Sequence, residues 1–284
     1  GEPVGELRLA ATLGRFWYLR GDLELGSERL RLALDAAGDG GEPADRAKAL
    51  RTSSAIAILR GRYADARRDA ERGLQVYRSL GDRVGVARSL SNLGAILQAQ
   101  GELGEAARLL DEAIALCEGG DDRVRALALN NRGDVALSAH EWATAERSFR
   151  QSLKLLESMG DTANVARSIY NLAAVELGRR RFDAAAPLLA RSLRHACEVD
   201  DREDMAWSLL GLAAVDAHHE RIESGRRLLA TAEGLLRDMG ASLKPFEAEL
   251  HGHTRRALDV RGAMRPSTPL SARAVAELAA GLGG

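Results

Sequence analysis

The sequence predicts an all-α solenoid of about six helix-turn-helix repeats that ends in a capping helix. Three observations lead to this fold class. Short turn segments recur at a nearly constant spacing, and at three fixed distances from these turns every unit has a small side chain. Within each half-unit the apolar residues lie three or four positions apart, which is the period of an amphipathic helix. No stretch shows the sustained alternation of apolar and polar residues that predicts a strand.

The spacing of the turn segments defines the repeat. The first residues of these segments, the anchors of the register, follow one another at steps of 40, 40, 39, 40 and 40 residues. The anchors are Gly21, Gly61, Gly101, His140, Arg180 and Glu220. A fixed period of this length is the sequence signature of a repeat array. We expect each unit to be a helix, a tight turn, a second helix and a short link.

Small side chains mark where the helices approach each other. Seven residues before the anchors, five after them and twelve after them, all 18 sites are Gly, Ala or Ser. The first of these columns consists of Gly14, Ser54, Gly94, Gly133, Ala173 and Ala213. Two helices come close only where side chains are small, so the columns predict helix–helix contacts. A column of large side chains, two residues after the anchors, completes the unit: Leu23, Tyr63, Leu103, Trp142, Phe182 and Ile222.

The repeats predict a division of the chain into three parts. Residues 1–240 hold the six units of about 40 residues, and residues 241–260 are expected to form a helix that covers the last apolar face of the array. Residues 261–284 are expected to be a proline-containing linker and a short C-terminal helix. The chain lacks an initiator Met, and we expect it to be part of a longer polypeptide.

Composition and spacing argue against nucleic-acid binding, a membrane span and a metal site. With 40 Lys and Arg against 41 Asp and Glu, the net charge of −1 disfavours direct nucleic-acid binding. No apolar run is long enough to span a membrane. The two cysteines, Cys117 and Cys197, are expected to be free thiols in a reducing, cytoplasmic compartment. His218 and His219 are neighbours on a predicted helix and point apart, so no metal site is predicted.

The columns resemble the tetratricopeptide repeat over about residues 7–240. The residues that carry the resemblance are Leu93, Gly94, Gly101, Leu103, Ala106 and Ala113, with Asn171, Leu172, Ala173, Phe182, Ala185 and Ser192 in a later unit. It implies a right-handed superhelical solenoid. The sequence departs from the family where His140, Arg180 and Glu220 replace the turn glycine.

A narrower resemblance rests on the 40-residue units, the run at 80–94 and the opening at 16–21. These features are similar to the C-terminal repeats of bacterial signal-transduction ATPases with numerous domains, the transcription regulators that include the maltose-regulon activator. The resemblance implies a non-catalytic sensor or protein-interaction domain of a multidomain ATP-dependent transcription regulator. No cofactor is expected.

The first helices of the units are expected to line a concave groove, where polar residues recur. Three successive units place Asn92, Asn131 and Asn171 nine residues before the anchor. An Asn amide offers donors and an acceptor for an extended peptide backbone. Neighbouring groove positions hold Arg51, Arg88, Arg167, Tyr170 and Trp207, which suit carboxylates or supply an apolar anchor. These eight residues are the candidate peptide-binding site.

Other interpretations stay open. The Asn residues are equally suited to crosslinking neighbouring helices, with the Arg residues merely solvating the face. We expect the partner in the groove to be a protein or peptide, with the parent's own ATPase domain as one candidate. The alternatives are a small-molecule receptor for an inducer or nucleotide, and a stand-alone peptide-binding scaffold. No convergent nucleophile, base and oxyanion group is found, so an enzyme is not predicted and there are no candidate catalytic residues.

Overall fold

The chain is helical throughout the part that the structure describes. The computed structural model describes residues 2–20, 22–38, 40–241, 243–259 and 268–281, which form fourteen α-helices and no strand. Numbered in chain order, the helices are α1 Glu2–Arg20, α2 Leu23–Ala37, α3 Pro43–Leu59, α4 Tyr63–Ser79, α5 Arg83–Ala99, α6 Leu103–Leu116, α7 Asp122–Ser138, α8 Trp142–Ser158, α9 Thr162–Gly178, α10 Phe182–Glu198, α11 Arg202–His218, α12 Ile222–Met239, α13 Pro245–Leu258 and α14 Ala272–Gly281.

The helices form two compact units, Gly1–Arg132 and Gly133–Gly284, and α7 contributes to both. Within unit 1, α2 packs on α1 and α3, α3 on α4, α4 on α5 and α5 on α6. Within unit 2, α9 packs on α8 and α10, and α11 packs on α10 and α12. Each helix therefore contacts mainly its neighbours in sequence, which is typical of a helical repeat protein. No helix among the described residues is long and apolar enough to cross a membrane.

The columns of small side chains lie where helices cross, as the sequence predicts. A Cβ atom added to Gly94 on α5 would lie 2.6 Å from Cγ of Leu110 on α6. At the same register position of the next unit, a Cβ on Gly133 would lie 2.3 Å from Cε1 of Phe149 on α8. A side chain at either glycine would require the facing Leu110 or Phe149 side chain to shift, so glycine favours the close approach of the two helices of these pairs. In the second column, Ala106 and its counterparts on α4, α8 and α10 are fully buried.

The tight turns have the same backbone conformation in units with and without glycine. The anchors Gly61 and Gly101 have φ values of 68° and 82°. His140, Arg180 and Glu220 adopt φ of 57°, 60° and 58° at the same register position. The left-handed region is unfavourable for a residue with a Cβ atom. The turn conformation is therefore a property of the repeat, and three units adopt it with residues for which it is unfavourable. The first anchor, Gly21, lies outside the described residues.

The C-terminal part contains two further helices. Helix α13 begins at Pro245, where the missing N–H of the first turn is not needed. Helix α14 packs on α10, and the backbone N–H of Leu270 just before α14 donates to Oγ1 of Thr231 at 2.8 Å. Residues 260–267, most of the expected linker, lie outside the described residues. The division into repeats at 1–240, a cap at 241–260 and a C-terminal segment at 261–284 stays a prediction.

Candidate functional site

Four of the predicted site residues lie in unit 1, on the first helices of their pairs. Arg51 is on α3, Arg88 and Asn92 are on α5, and Asn131 is on α7; all four are half-buried. Arg88 Nη2 donates to Oδ2 of Asp121 at 3.4 Å, and its buried Nε has no hydrogen-bond partner among the residues that the structure describes. One edge of this guanidinium is therefore already used within the fold.

Asn131 connects two helices of unit 1. Its Nδ2 donates to Oγ of Ser91 on α5 at 2.9 Å and lies 3.4 Å from the Ser91 carbonyl oxygen. The crosslinking role that the sequence leaves open is thus present at this residue. The amide is not fully enclosed, since Asn131 is only half-buried. Peptide binding by Asn131, Asn92, Arg51 and Arg88 stays a prediction.

The other four predicted residues lie in unit 2, on α9 and α11. Tyr170 and Trp207 have exposed fractions of 0 % and 1 %, and their ring centroids are 5.7 Å apart. The guanidinium carbon of Arg167 lies 5.0 Å from the centroid of the Trp207 ring, within the range of a cation–π contact. Asn171 is also buried, and its Nδ2 forms no hydrogen bond with any described residue. The structure therefore brings Arg167, Tyr170 and Trp207 together.

The chain's own helix α13 covers this cluster. Lys244, directly before α13, donates from Nζ to Oδ2 of Asp134 on α7 at 2.8 Å. The same Nζ lies 4.8 Å from the centroid of the Trp207 ring. One turn along α13, Glu247 Oε1 accepts a hydrogen bond from the Tyr170 hydroxyl at 3.1 Å. We call Asp134, Tyr170 and Trp207 the first-helix face of unit 2, because each lies on the first helix of its pair.

Arg167 joins the first-helix face to a buried carboxylate. Its Nε donates to Oδ1 of Asp204 at 3.1 Å, and its Nη2 donates to Oε2 of Glu203 at 2.9 Å. Both acids stand in the first turn of α11, which begins after Asp201. Asp201 Oδ1 accepts from the backbone N–H groups of Glu203 and Asp204 at 3.1 and 3.0 Å, an N-cap that fixes the position of this acidic turn.

Burial shifts the ionisation of this cluster. Burial raises the pKa of Asp204 to about 6, although the charge of Arg167 acts in the opposite direction. Burial also raises the pKa of Glu247, against the attraction of Lys244. For Lys244, burial lowers the pKa, but Asp134 and Glu247 outweigh it and the net shift is upward. The contact between α13 and the first-helix face is therefore electrostatic as well as apolar.

Several buried polar atoms of this cluster lack a hydrogen-bond partner among the described residues. They are Glu247 Oε2, Asp204 Oδ2, Trp207 Nε1 and Asn171 Nδ2. A buried polar atom without a partner destabilises the arrangement that buries it, by roughly 1–3 kcal/mol. Helix α13 therefore covers the first-helix face without satisfying all of its polar groups.

Sequence reasoning missed three residues of this contact, namely Asp134, Lys244 and Glu247. One signal was available for Asp134. The column six residues before the anchor is Ala in four of the six units, at Ala55, Ala95, Ala174 and Ala214. A carboxylate in a column of alanines requires a specific partner when it is buried. For Lys244 and Glu247 no periodic signal exists, because α13 follows the last repeat.

The described residues offer little for metal or redox chemistry. They contain no group of three or more His, Cys, Asp or Glu side chains that is arranged to hold a metal ion. Cys117 and Cys197 are both free thiols, and burial raises the pKa of each. A raised thiol pKa lowers the fraction of reactive thiolate at neutral pH.

Paired helices, small residues at their crossings and tight turns between them define a helical repeat protein. The tetratricopeptide repeat family matches the chain at residues 45–119, 85–158 and 124–198. Together these matches cover 45–198, more than half of the 284 residues. The chain belongs to the tetratricopeptide repeat family, and its repeats are a protein-interaction scaffold.

One curated relative is a regulator. The chain is 29 % identical over 163 residues to the regulatory protein AfsR of Streptomyces griseus. The match covers 55 % of this chain and 16 % of that protein, so the chain spans a small part of the relative's length.

Solved structures support the fold class. A Rap protein complexed with competence and sporulation factor has a TM-score of 0.68 at 17 % identity, over 89 % of this chain and 73 % of that chain. The apo form of RapI has a TM-score of 0.61 at 14 % identity, over 89 % of this chain and 99 % of that chain. At these identities the likeness concerns the fold alone, and the predicted all-α, tetratricopeptide-like solenoid class is confirmed.

Proposed function

We propose that the chain is a non-catalytic sensor or protein-interaction domain of a cytoplasmic, multidomain, ATP-dependent transcription regulator. Its partner is a protein or peptide segment that binds to the first-helix face of unit 2. The regulator's own ATPase domain is one candidate for this partner. The partial identity to a regulatory protein supports the regulator, and the fold neighbour solved with competence and sporulation factor supports ligand binding by such a fold.

The observation that carries the proposal is the seating of α13 on the first-helix face of unit 2. A helical segment presents Lys244 to Asp134 and to the Trp207 ring, and it presents Glu247 to the Tyr170 hydroxyl. This face therefore has the shape and charge to hold a helix with a cation and an acid one turn apart. Recognition of a helix in a groove of a helical protein uses the same elements, spaced anchors and complementary charges.

The contact between α13 and the first-helix face of unit 2 is suited to replacement of α13 by a partner segment. Four buried polar atoms at or beside it have no hydrogen-bond partner in the part of the chain that the structure describes, and a segment that satisfied them would bind more tightly than α13 does. Helix α13 follows α12, the last helix of the repeats, in the same chain, so it competes as a tethered segment. A partner must overcome the effective concentration of that tether.

The test uses the full chain and a fluorescein-labelled synthetic peptide of residues 243–259. The variant Lys244→Ala/Glu247→Ala weakens the tethered α13 and opens the first-helix face of unit 2. We expect the peptide to bind this variant saturably, at least about ten-fold more tightly than the wild-type chain, because the intramolecular competitor is removed. Adding Trp207→Leu to the opened variant should abolish the gain.

A matched control exists on α8. Lys154 and Glu157 are likewise three positions apart and are exposed, and Glu157 pairs with Arg191 on α10. Lys154→Ala/Glu157→Ala should leave peptide binding at the wild-type level. If the opened variant keeps its helical circular dichroism spectrum and yet binds no peptide, the first-helix face of unit 2 is not a segment-binding surface, and the proposal fails.

A further inference from the structure

A cleft of about 460 Å³ lies in unit 2, beside the contact between α13 and the repeats. One wall is formed where consecutive pairs turn, by Trp142 at the start of α8 and Phe182 at the start of α10. The opposite wall is one stripe of α13, with Phe246, Leu250 and Thr254 spaced by four. Its volume is within the range of small-molecule sites.

Aromatic rings dominate the cleft, although aromatic residues are only 4 % of the chain. Trp142 packs against Gly178, where an added Cβ would lie 2.5 Å from Cζ3 of the indole. The His218 ring stacks on Phe182, with centroids 4.2 Å apart and planes 18° from parallel. Phe246 on α13 also lines the cleft. Flat faces of this kind favour a planar aromatic guest, which stacks on them.

One cationic side chain of the cleft, that of Arg180, has no acidic partner among the described residues. Arg180 lines the cleft, is exposed, and forms no ion pair with any described residue. Its two neighbours are both paired: Arg179 with Glu146 and Glu176, and Arg181 with Glu176. The acid of the cleft, Glu249, instead lies 3.9 Å from the ring of His253. The Arg180 guanidinium is therefore a cation of the cleft that is available to a guest, and the Glu249 carboxylate on α13 also lines the cleft.

A buried hydroxyl gives a second polar position. Thr254 is 3 % exposed, and no described residue forms a hydrogen bond with its Oγ1. Since buried hydroxyls are nearly always hydrogen-bonded, this atom offers a site for a polar group of a guest.

We propose that this cleft binds a small planar aromatic carboxylate. The ring lies among Trp142, Phe182 and Phe246, and the carboxylate pairs with the Arg180 guanidinium, which matches the geometry of a carboxylate. A second polar substituent on the ring reaches the Thr254 hydroxyl. The site stands apart from the proposed protein partner, because it requires only that α13 be docked as in the structure. Since α13 forms one wall, an occupied cleft holds α13 in place.

The test titrates 2-naphthoate onto the full chain and follows tryptophan fluorescence and the heat of binding. We expect saturable one-to-one binding. Binding of 2-naphthol, which has the ring but no carboxylate, and of cyclohexanecarboxylate, which has the carboxylate but no aromatic ring, should each be at least about ten-fold weaker. Hydrogen exchange of the α13 amides should slow when 2-naphthoate is bound.

Two matched pairs of variants locate the site. Arg180→Gln should weaken 2-naphthoate binding about ten-fold or more, whereas Arg181→Gln, one residue on and already paired, should leave it unchanged. Phe182→Leu should weaken it, whereas Phe16→Leu, an exposed ring in unit 1, should not. Absence of saturable binding at millimolar 2-naphthoate, or equal binding by the Arg180 and Arg181 variants with unchanged melting temperatures, overturns the proposal. The 2-naphthoate test uses the chain with α13 docked, so a failure of the opened variant to bind peptide would not change its outcome.

Discussion

Lys244 and Asp134 form an ion pair of 2.8 Å although they are 110 positions apart in sequence. The pair joins the segment before α13 to α7, across a face that α9 and α11 also line. Asp134 is nearly buried, and about a third of the Lys244 side chain stays exposed. One residue thus comes from inside the repeat array and the other from the segment that follows it, and the pair fixes where α13 lies.

Removing the carboxylate should loosen α13. Asp134→Ala leaves the Lys244 ammonium beside the Trp207 ring without its acid, so we expect the free energy for opening α13 to fall by about 1–2 kcal/mol, because a partly exposed pair is screened by water. Hydrogen exchange of the α13 amides measures this change. Asp134→Asn, which keeps an acceptor, should have a smaller effect. Unchanged exchange in Asp134→Ala would show that the pair does not hold α13.

The buried carboxyl of Asp204 predicts a pH dependence of stability. Its pKa is raised from 3.8 to about 6 in the folded chain, so the folded state holds this proton more strongly than the unfolded state. The stability contribution of the group is therefore greatest below about pH 4 and falls as the pH rises to about 6, by roughly 3 kcal/mol at most. Burial is the main cause, and Arg167 limits the shift.

Urea unfolding of the wild-type chain and of Asp204→Asn between pH 4 and pH 7 measures this contribution. The difference in unfolding free energy, wild type minus variant, should decline over pH 4–6 and then level off. Glu247, whose pKa is also raised, remains in both proteins and cancels from the difference. Two parallel curves would mean that Asp204 titrates alike in the folded and unfolded states.

The small columns predict opposite effects for two glycines of the same helix pair. A Cβ added to Gly94 would lie 2.6 Å from Cγ of Leu110, whereas no atom of the described residues lies within 4 Å of a Cβ on Gly104. We expect Gly94→Ala to destabilise unit 1 by about 1–3 kcal/mol through overpacking. Gly104→Ala should stabilise it by roughly 0.5–1 kcal/mol, since alanine is the better helix former. Thermal unfolding of both variants compares them, and effects of the same sign would contradict the register.

The fold followed from the sequence because its information is periodic. Gly94 and Gly133 lie in a column that the spacing alone identifies, and the structure places both at helix crossings. A repeat contacts mainly its neighbours, so local pattern determines most of its packing. The same reasoning predicted that Arg167, Tyr170 and Trp207 are neighbours, and the structure has them in contact in unit 2.

The position of α13 was beyond that reasoning. The sequence predicts a capping helix within 241–260, and the structure has α13 at Pro245–Leu258. Periodicity, however, says nothing of where a segment after the last repeat docks. That choice is made by a few long-range contacts, such as Glu247 with Tyr170, which are 77 positions apart. The cleft with Arg180 arises from the same docking, and no local pattern encodes it.

The turns of the later units predict a stabilising substitution. Glu220 is exposed and holds φ at 58°, where Gly101 holds 82° at the equivalent turn. Glycine removes the clash between Cβ and backbone in the left-handed region, so Glu220→Gly should raise stability by about 1 kcal/mol. Gly101→Ala should lower it by a similar amount. For a chain of this size each change corresponds to a shift of about 2–4 °C in Tm, measured by calorimetry. A lower Tm for Glu220→Gly would mean that the glutamate side chain makes a contact more favourable than the strain it causes.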